Sequence, residues 1–584
     1  MRPRLPRHLL AATLLGGLMA ACTTQTTPAT PPKTAEQAPA AAEKKADDQV
    51  KAPQSIPGAS ASPAAPSGAA SPTGATVPAA TAQVQGSSTT AQRAEPRGRL
   101  VFSWHTAFSP AWFDPQENPQ LVTPYGWQYA IHDAMVKHLP GQAYAPSLAE
   151  SYEIAPDFRS ATFKIREGVK FHNGEPVTPE DVKFTYENYR GAQAKIFKDK
   201  LDRIEIPDAR TVRFLFKEPF LDFLVLYGSP ASGAGWIVPA KYYQEVGPDG
   251  FKKAPIGAGP FKLVRQSADT EFELEAVPDY WRKSPNLKTL IIRTIAEDAT
   301  RLAALQTGEV DIINFVPGSL VETVRADPNI TLAPVRASAI WVEFTGWEKP
   351  DSPFNRKEVR EAASLAMDRR AISQAEEAGL SGFEGNWIPE DWPGAIQRPE
   401  PAFDLARARQ LLTEAGYPDG FDVEAISTNP PYHPLGERIL THLREVGIRM
   451  KLNPMERGAF IQKNSEGRGA FPDGMILQLS ASPGDAASRI RSYATCNGAS
   501  SRICVPEIED RFTRYESSTN PQEREQLLKE VQEYILDNFI LVPVYRQAFI
   551  EAIGPRVANN RDEIVGAIPQ YIYPGPYEDL RVKE

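Results

Sequence analysis

Apolar and polar residues alternate along two stretches of the chain and recur at helical spacing along three others. The stretches RSATFKIREGVKF and DARTVRFLFKEPF alternate every second residue, which is typical of half-buried strands. Helical spacing runs through KEVREAASLAMDRRAISQAEEAG, DLARARQLLTEAG and PQEREQLLKEVQEYILDNF. Asp404 and Asn520 stand where the N-caps of the second and third helices are expected. Strands and helices intermix without a repeat, so the pattern predicts an α/β or α+β fold.

This pattern begins only near Arg97. Residues 23–96 are dominated by Ala, Pro, Thr, Ser, Gln and Gly and contain no aromatic residue. Such a segment buries too little apolar surface to offset its ordering entropy, so residues 22–96 are expected to form a disordered linker. The chain beyond it carries all nine tryptophans and is too long for one simple core. At least two lobes are therefore expected.

The first 21 residues have the composition of a secretory signal peptide. Three arginines precede a short apolar run that is well below the roughly 20 residues of a membrane span. Met19-Ala20-Ala21-Cys22 resembles the bacterial lipobox, which implies cleavage before Cys22 and lipidation of that cysteine. The alternative is an ordinary signal peptide with a cysteine near its cleavage site. The mature protein is expected to be exported and tethered to the membrane by lipid, on the periplasmic or cell-surface side.

Charge and cysteine usage narrow the possible partners. The net charge is −9, and no Lys/Arg-rich run occurs outside the signal peptide, which argues against nucleic-acid binding. Cys496 and Cys504 are the remaining cysteines, and in an oxidising compartment they are expected to form a disulfide. Two free buried thiols are the alternative.

The stretch FHNGEPVTPEDVKF gathers polar groups that suggest a catalytic or metal site. Thr178, Pro179 and Asp181 instead have the form of a capped helix start, with Val177 and Val182 placed as a hydrophobic staple. His172 has no second histidine nearby, so it is a poor metal ligand. The sequence predicts a strand end, a turn and a helix start here.

The same stretch, EGVKFHNGEPVTPEDVKFTYE, resembles the signature of the extracellular solute-binding proteins of family 5, the oligopeptide, dipeptide and nickel binders of ABC importers. YAPSLAESYEIAPDF precedes it, and PIGAGPFKLV, VPDYWRKSPNLKTLIIRTIAEDATRLAALQTGEVDII, FNRKEVREAASLAMDRRAI and FDLARARQLLTEAGYPDGF follow it in the family's order. The resemblance continues through RYESSTNPQEREQLLKEVQEYILDNFILVPVYR and covers the chain from about residue 97 to its end.

The resemblance implies a two-lobed periplasmic-binding-protein fold of type II, similar to cluster C, with two crossover strands. Lobe 1 would comprise 97–335 plus 545–584, with an extra subdomain at about 145–220, and lobe 2 would comprise 336–544. A monomer is expected to enclose a solute between the lobes and to dock on ABC permease subunits in the inner membrane.

The family site is a cleft lined by aromatic residues and a few polar anchors. The aromatic residues expected near it are Trp104, Phe108, Trp112, Trp341, Phe344, Trp387 and Trp392. The alternative is that most of them are core residues. No cofactor and no metal are expected, because no cluster of His and Cys is found.

One departure from the family bears on the solute. Peptide-binding members usually carry a W-x-x-D-Y-x-D-P segment whose aspartate binds the peptide's amino group, and the matching stretch here is MILQLSASPGDAASRIRSY. Gln478, Ser480, Asp485 and Arg489 are its candidate ligand-binding residues. Loss of the carboxylate argues for a solute with hydroxyls or an anionic group, although Asp485 remains possible through a shifted loop. Peptide-like, opine-like and glycoside-like solutes stay open.

An enzyme is not expected. The chain contains no G-x-S-x-G, H-E-x-x-H, G-x-x-x-x-G-K-[ST] or G-x-G-x-x-G motif. The alternatives to a binding protein are a structural envelope lipoprotein without a small-molecule ligand and a secreted hydrolase.

Overall fold

The computed structural model describes residues 95–118, 122–230, 232–267, 270–480 and 484–583. The predicted signal peptide, the lipidation site at Cys22 and nearly all of the predicted linker lie outside these residues. The described chain is a mixed α/β structure, in agreement with the sequence pattern.

The strands of the described residues fall into one large sheet and two small ones. In chain order they are β1 Arg99–Trp104, β2 Val136–Leu139, β3 Gln142–Pro146, β4 Ala149–Ile154, β5 Ser160–Ile165, β6 Leu201–Asp208, β7 Thr211–Phe216, β8 Phe261–Ser267, β9 Glu271–Ala276, β10 Thr289–Thr294, β11 Ile312–Ile313, β12 Thr331–Thr345, β13 Phe421–Thr428, β14 Ile448–Pro454, β15 Gly474–Ser480 and β16 Leu541–Ile553. The two stretches of alternating residues form β5 and β7, which are antiparallel neighbours.

The helices are interspersed among these strands. In chain order they are α1 Tyr125–Ile131, α2 Pro179–Asn188, α3 Ala194–Lys200, α4 Phe223–Tyr227, α5 Ala240–Lys253, α6 Asp298–Gln306, α7 Gly318–Ala326, α8 Lys357–Leu365, α9 Arg369–Glu377, α10 Leu405–Glu414, α11 His433–Glu445, α12 Arg457–Ser465, α13 Ala486–Ala494, α14 Pro506–Ser517, α15 Pro521–Asp537 and α16 Arg561–Ile564. Short 3₁₀ turns lie at Pro110–Phe113, Pro115–Glu117, Pro353–Asn355 and Tyr577–Asp579.

The second and third predicted helices have the expected caps, whereas the first is divided into two helices. Asp404 accepts a hydrogen bond from the Arg407 amide at 2.9 Å at the start of α10, and Asn520 caps α15. The segment 357–379 forms α8 and α9 rather than one helix. Asp368 accepts from the Ala371 amide at 2.9 Å, so it begins a new helix within the apolar pattern.

The polar stretch after residue 171 is a helix start, as predicted. Thr178 and Asp181 form a complete capping box at the beginning of α2. Val177 and Val182 are both buried in the same hydrophobic cluster. His172 is half-buried, and its Nε2 lies 3.0 Å from the carbonyl oxygen of Gly259. The polar groups of this stretch are therefore engaged in local structure.

Two long strands run through both halves of the large sheet. Its strand order is β14-β13-β15-β12-β16-β11-β1-β10-β9-β8. β12 and β16 are antiparallel partners along nearly their whole length. One end of β16 pairs with β11, and the opposite part of β12 pairs with β15. The two strands therefore connect the β1 side of the molecule with the β13 side.

Separate hydrophobic clusters fill the two sides. Leu100, Phe102 and Trp104 belong to the cluster on the β1 side, which also includes several apolar residues between Phe549 and Leu580. The four-stranded sheet β4-β5-β7-β6 carries its own cluster. On the other side, Ile426 and Met475 belong to the cluster around β13 and β15. A further cluster contains Trp341, α13 and α15.

In the described part of the chain, none of the helices combines the length and hydrophobicity that a membrane span needs. Within the same residues, no group of three or more His, Cys, Asp or Glu side chains is arranged to hold a metal ion.

Candidate functional site

Three parallel strands end at one edge of the large sheet. β13 is parallel to both β14 and β15, so their carboxyl ends lie together. Asn429 directly follows β13, and Arg457 begins α12 shortly after β14. Gln478 and Ser480 lie in the last three residues of β15. Ligands of open α/β sheets bind outside the carboxyl ends of the strands, so this edge is a natural binding site.

The β1 side contributes a second group of residues. β1 is parallel to β10 and β11, and His105 directly follows it. The imidazole stacks on Phe315, with ring centroids 4.9 Å apart, and its Nδ1 is hydrogen-bonded to the side chain of Asn314. Asn314 in turn donates from Nδ2 to Glu551 Oε1 at 2.8 Å. His105 is thus held in place by buried neighbours.

These two groups line one cavity of about 510 Å³. That volume lies in the range of pockets that hold small organic ligands. Its polar lining comprises His105, Glu117, Asn118, Thr123, Arg190, Asn429, Arg457, Gln462, Asn464, Ser465, Gln478, Ser480 and Ser500. Its bulky apolar and aromatic side chains are those of Val122, Tyr432, Phe460, Ile461, Leu479, Tyr493, Phe549, Ile572 and Tyr573. The mixture suits a solute with several polar groups and some apolar surface.

The described lining contains one carboxylate, and that carboxylate is paired. Arg190 Nη2 lies 3.0 Å from Glu117 Oε1, and Lys252 Nζ lies 2.7 Å from Glu117 Oε2. Against the effect of burial, hydrogen bonds from Lys252 and Arg190 hold the pKa of Glu117 below its ordinary value. Glu117 is therefore ionised and already neutralised by two cations.

His105 and the nearby carboxyl group of Glu551 are both uncharged at neutral pH. Burial, together with the charges of Arg457 and Arg301, lowers the pKa of His105 to about 3. Burial raises the pKa of Glu551 to about 8, despite the hydrogen bond from Asn314. The imidazole and the carboxyl group are consequently both neutral, so the charges that act on His105 are those of Arg457 and Arg301.

A buried ion pair supports the opposite wall. Arg502 Nη2 lies 2.8 Å from Glu343 Oε2, and both side chains are almost inaccessible to solvent. Arg502 Nη1 donates to Asn464 Oδ1 at 2.5 Å, and Gln478 Nε2 donates to the same oxygen at 2.8 Å. The pair therefore fixes Asn464 and Gln478, two residues of the cavity wall.

Comparison with known families decides the class of protein. Residues 143–501 match the model of bacterial extracellular solute-binding proteins, family 5 middle domain, which is more than half of the chain. The chain belongs to this family. It is thereby placed among the solute-binding proteins of ABC importers, and the resemblance found in the sequence is confirmed.

Curated relatives of this family 5 protein match over most of their length. The heme-binding protein A of Haemophilus influenzae is 26% identical over 514 residues, which cover 80% of this chain and 91% of the relative. The di/tripeptide-binding protein 1 of Pseudomonas aeruginosa is 27% identical over 495 residues, covering 78% and 90%. These relatives are binding proteins.

Solved structures show the same fold. The periplasmic binding protein AgaA of A. tumefaciens R10, in complex with agropinic acid, has a TM-score of 0.68 at 24% identity, covering 83% of this chain and 99% of AgaA. A dipeptide-binding protein of Pseudoalteromonas sp. SM9913 with bound Met-Leu has a TM-score of 0.71 at 22% identity, covering 83% and 100%. The two-lobed periplasmic-binding-protein fold is therefore confirmed.

Two of the eleven candidate ligand-binding residues line the cavity, namely Gln478 and Ser480. Trp104, Phe108 and Phe344 are buried in hydrophobic clusters, and Trp112 is half-buried against one. Trp104 stacks behind His105, at a centroid distance of 6.4 Å. Solute contact by these four aromatic residues stays a prediction, and their packing agrees with the alternative core role.

The remaining aromatic candidates surround Arg489 behind the cavity wall. The Arg489 guanidinium carbon lies 4.6 Å from the ring centroid of Trp392, 5.6 Å from that of Tyr493 and 5.9 Å from that of Trp341. Trp387 packs on Trp341 with centroids 5.6 Å apart. Tyr493 belongs to the cavity lining, so this cluster positions one wall residue. Direct solute contact by Arg489 and the three tryptophans stays a prediction.

Asp485 has a local structural role in this family 5 protein. Its carboxylate accepts from the Ser488 amide at 2.7 Å and caps α13 in a capping box. It is not among the residues that line the cavity. Burial, followed by the charge of Asp222, raises the pKa of Asp485 to about 6. A role in binding a solute's amino group stays a prediction that this geometry does not favour.

A disulfide joins Cys496 and Cys504, whose Cα atoms are 4.3 Å apart. The loop that it closes carries Ala499 and Ser500 of the cavity lining, and it also carries Arg502. The disulfide therefore restrains part of the cavity rim.

Five further residues line the cavity that were not predicted from the sequence, namely His105, Thr123, Tyr432, Arg457 and Tyr573. A signal was present for His105 and Arg457, because each follows the carboxyl end of a strand that proves to be parallel to its neighbours. Thr123 and Tyr573 lie in irregular segments that only the tertiary structure brings to the cavity.

Proposed function

We propose that the protein is a lipid-anchored, extracytoplasmic solute-binding protein that acts without catalysis. It captures a small solute of the peptide, opine or glycoside class by closure of its two lobes and delivers it to ABC permease subunits in the inner membrane. The observation that carries the proposal is the cavity of about 510 Å³, whose walls come from both the β1 side and the β13 side of the molecule.

Direct contacts between the predicted lobes support the closure step. Arg457 Nη2 donates to Thr123 Oγ1 at 3.3 Å, and the Gly484 amide donates to Gln570 Oε1 at 2.8 Å. Arg491 forms an ion pair with Asp222. Each contact joins a residue within 336–544 to one outside it. A solute that touches both walls would add to these contacts and stabilise the closed form over the open one.

The solutes named for relatives support the proposed classes. AgaA holds agropinic acid, and the Pseudoalteromonas protein holds the dipeptide Met-Leu. Both are small molecules with several polar groups, and the mixed lining of this cavity suits such molecules.

The proposed anchor rests on the N-terminal sequence. Cys22 would carry the lipid, and the Ala/Pro-rich residues after it would be the linker between the lipid and a monomeric binding domain. The Cys22→Ala variant is expected to leave the membrane fraction, whereas a Cys496→Ala variant is expected to stay with it. Membrane association of both variants alike would contradict lipidation at Cys22.

The solute-binding function is tested by mass spectrometry of small molecules released from the purified protein, combined with small-angle scattering. We expect a small organic solute to be released and the radius of gyration to fall when that solute is added back. Absence of any solute, together with no thermal shift across peptides, opines and glycosides, would favour a structural envelope lipoprotein. Conversion of such a compound to product would identify a hydrolase instead.

A further inference from the structure

Arg457 stands apart from the other charged groups of the cavity. It is the first residue of α12, and its Nη2 donates to Thr123 Oγ1 at 3.3 Å. Among the described residues no carboxylate lies within the 4.0 Å of a salt bridge to its guanidinium. The guanidinium therefore has hydrogen-bonding capacity and charge to offer to a ligand.

Three acidic residues around the site have hydrogen-bond or salt-bridge partners other than Arg457. Glu456 Oε2 accepts from the Ala459 amide at 2.9 Å, so it caps α12 and occupies the free amides of that helix. Glu117 is held by Arg190 and Lys252. The carboxyl group of Glu551 is buried and hydrogen-bonded to Asn314. None of these three carboxyl groups forms a salt bridge with Arg457, and the Glu456 carboxylate already occupies the start of the helix, so an anion of the solute would bind the guanidinium itself.

The surroundings of Arg457 favour a carboxylate. His105, Tyr432 and Tyr573 line the cavity with it as neutral side chains, so they add no negative charge that would oppose an anion. A guanidinium presents two parallel N–H groups that match the two oxygens of a carboxylate. An unpaired guanidinium is costly to enclose when the lobes close, and an anionic group of the solute would remove that cost.

We propose that Arg457 binds the carboxylate of the solute and that the protein selects small organic acids over neutral glycosides. This inference rests on the proposed solute-binding function and narrows it. It also assigns no partner to a free ammonium group of the solute, because the one carboxylate of the described lining is already paired. Selection then depends on the acid group and not on the amine.

The test uses matched acids and amides in native mass spectrometry of the full-length protein. The probes are Met-Leu, agropinic acid, the carboxamide of each, and neutral glycosides, together with any solute that co-purifies. The wild type is expected to capture at least one carboxylate compound and to bind its carboxamide at least tenfold more weakly. Arg457→Gln is expected to lose at least tenfold in affinity for the acid, whereas Arg457→Lys retains a measurable preference for it.

The matched control is Arg468→Gln, because Arg468 is exposed and lies outside the cavity lining. It is expected to bind the acid as the wild type does, and thermal melts check that all variants fold. Equal capture of acid and carboxamide by the wild type, or unchanged acid affinity in a folded Arg457→Gln variant, would overturn the inference while the solute-binding function stands. Capture of no compound at all by the wild type would overturn both.

Discussion

The buried pair of Glu343 and Arg502 allows the sharpest prediction about stability. Arg502→Met replaces the guanidinium with an apolar side chain of similar length and leaves the Glu343 carboxylate buried without its cation. The side chains of Arg502 and Glu343 are only 4% and 1% exposed, so solvent cannot take the place of the lost partner. Breaking a buried pair from one side costs about 3–5 kcal/mol. We expect the free energy of unfolding to fall by that amount at pH 8.

The same variant should show a characteristic pH dependence. Burial already raises the pKa of Glu343 against the opposing charge of Arg502, and removal of that charge raises it further. A carboxyl group with a raised folded-state pKa contributes stability at low pH, and that contribution is lost as pH rises from the unfolded pKa towards the folded one. The deficit of Arg502→Met relative to the wild type should therefore be smaller at pH 5 than at pH 8.

Urea unfolding followed by circular dichroism at pH 5 and pH 8 measures both effects. The double variant Glu343→Met, Arg502→Met is the control, because it removes both charges and should recover most of the lost stability. Since Arg502 also holds Asn464 and Gln478 in the cavity wall, the single variant should bind solute more weakly as well. A loss below about 1 kcal/mol at pH 8, or an equal loss at both pH values, would refute the reasoning.

Three further outcomes are expected from other parts of the structure. Reduction of the Cys496–Cys504 disulfide should lower the free energy of unfolding by about 2–3 kcal/mol, measured by urea unfolding with and without dithiothreitol, and a double serine variant should show no effect of the reductant. Thr178→Ala should cost about 1 kcal/mol through loss of its capping box, whereas a folded His172→Ala variant should bind solute within a few-fold of the wild type by calorimetry. Because burial raises the pKa of Glu551 to about 8, its contribution to stability should fall as pH rises from about 4.5 to 8, and Glu551→Gln should flatten that part of the pH profile; an unchanged profile would contradict this assignment.

The features predicted correctly from the sequence depend on neighbouring residues. The capping box of Thr178 and Asp181 lies within four residues, and the alternation in β5 and β7 reflects one buried face along a short segment. The same local patterns failed within 357–379, where one apolar periodicity continues across two helices. Only the cap formed by Asp368 shows that the chain begins a second helix there.

The cavity could not be assembled in the same way, because its walls come from segments that are far apart in the chain. Arg457 and Thr123 are 334 residues apart, and their contact depends on how the two sides of the large sheet come together. The aromatic residues expected in the cleft were chosen by type and by proximity to loops. Several of them pack inside hydrophobic clusters, since large aromatic side chains contribute most to a core when they are fully buried.

Sequence and structure nevertheless point to a similar kind of solute through different residues. Loss of the aspartate that anchors a peptide's amino group argued for an anionic or hydroxyl-bearing solute, and the structure supplies a physical basis for the anionic choice at Arg457. Asp485, the one acid left in the departing stretch, caps α13 and lies outside the cavity lining. Because Asp485 lies outside the cavity lining and Glu117 is paired, the unpaired guanidinium of Arg457 makes the site prefer a negatively charged group. A solute that lacks an acid group would leave this cation unpaired when the lobes close. Binding of the acid group and closure of the lobes are therefore expected to be energetically coupled.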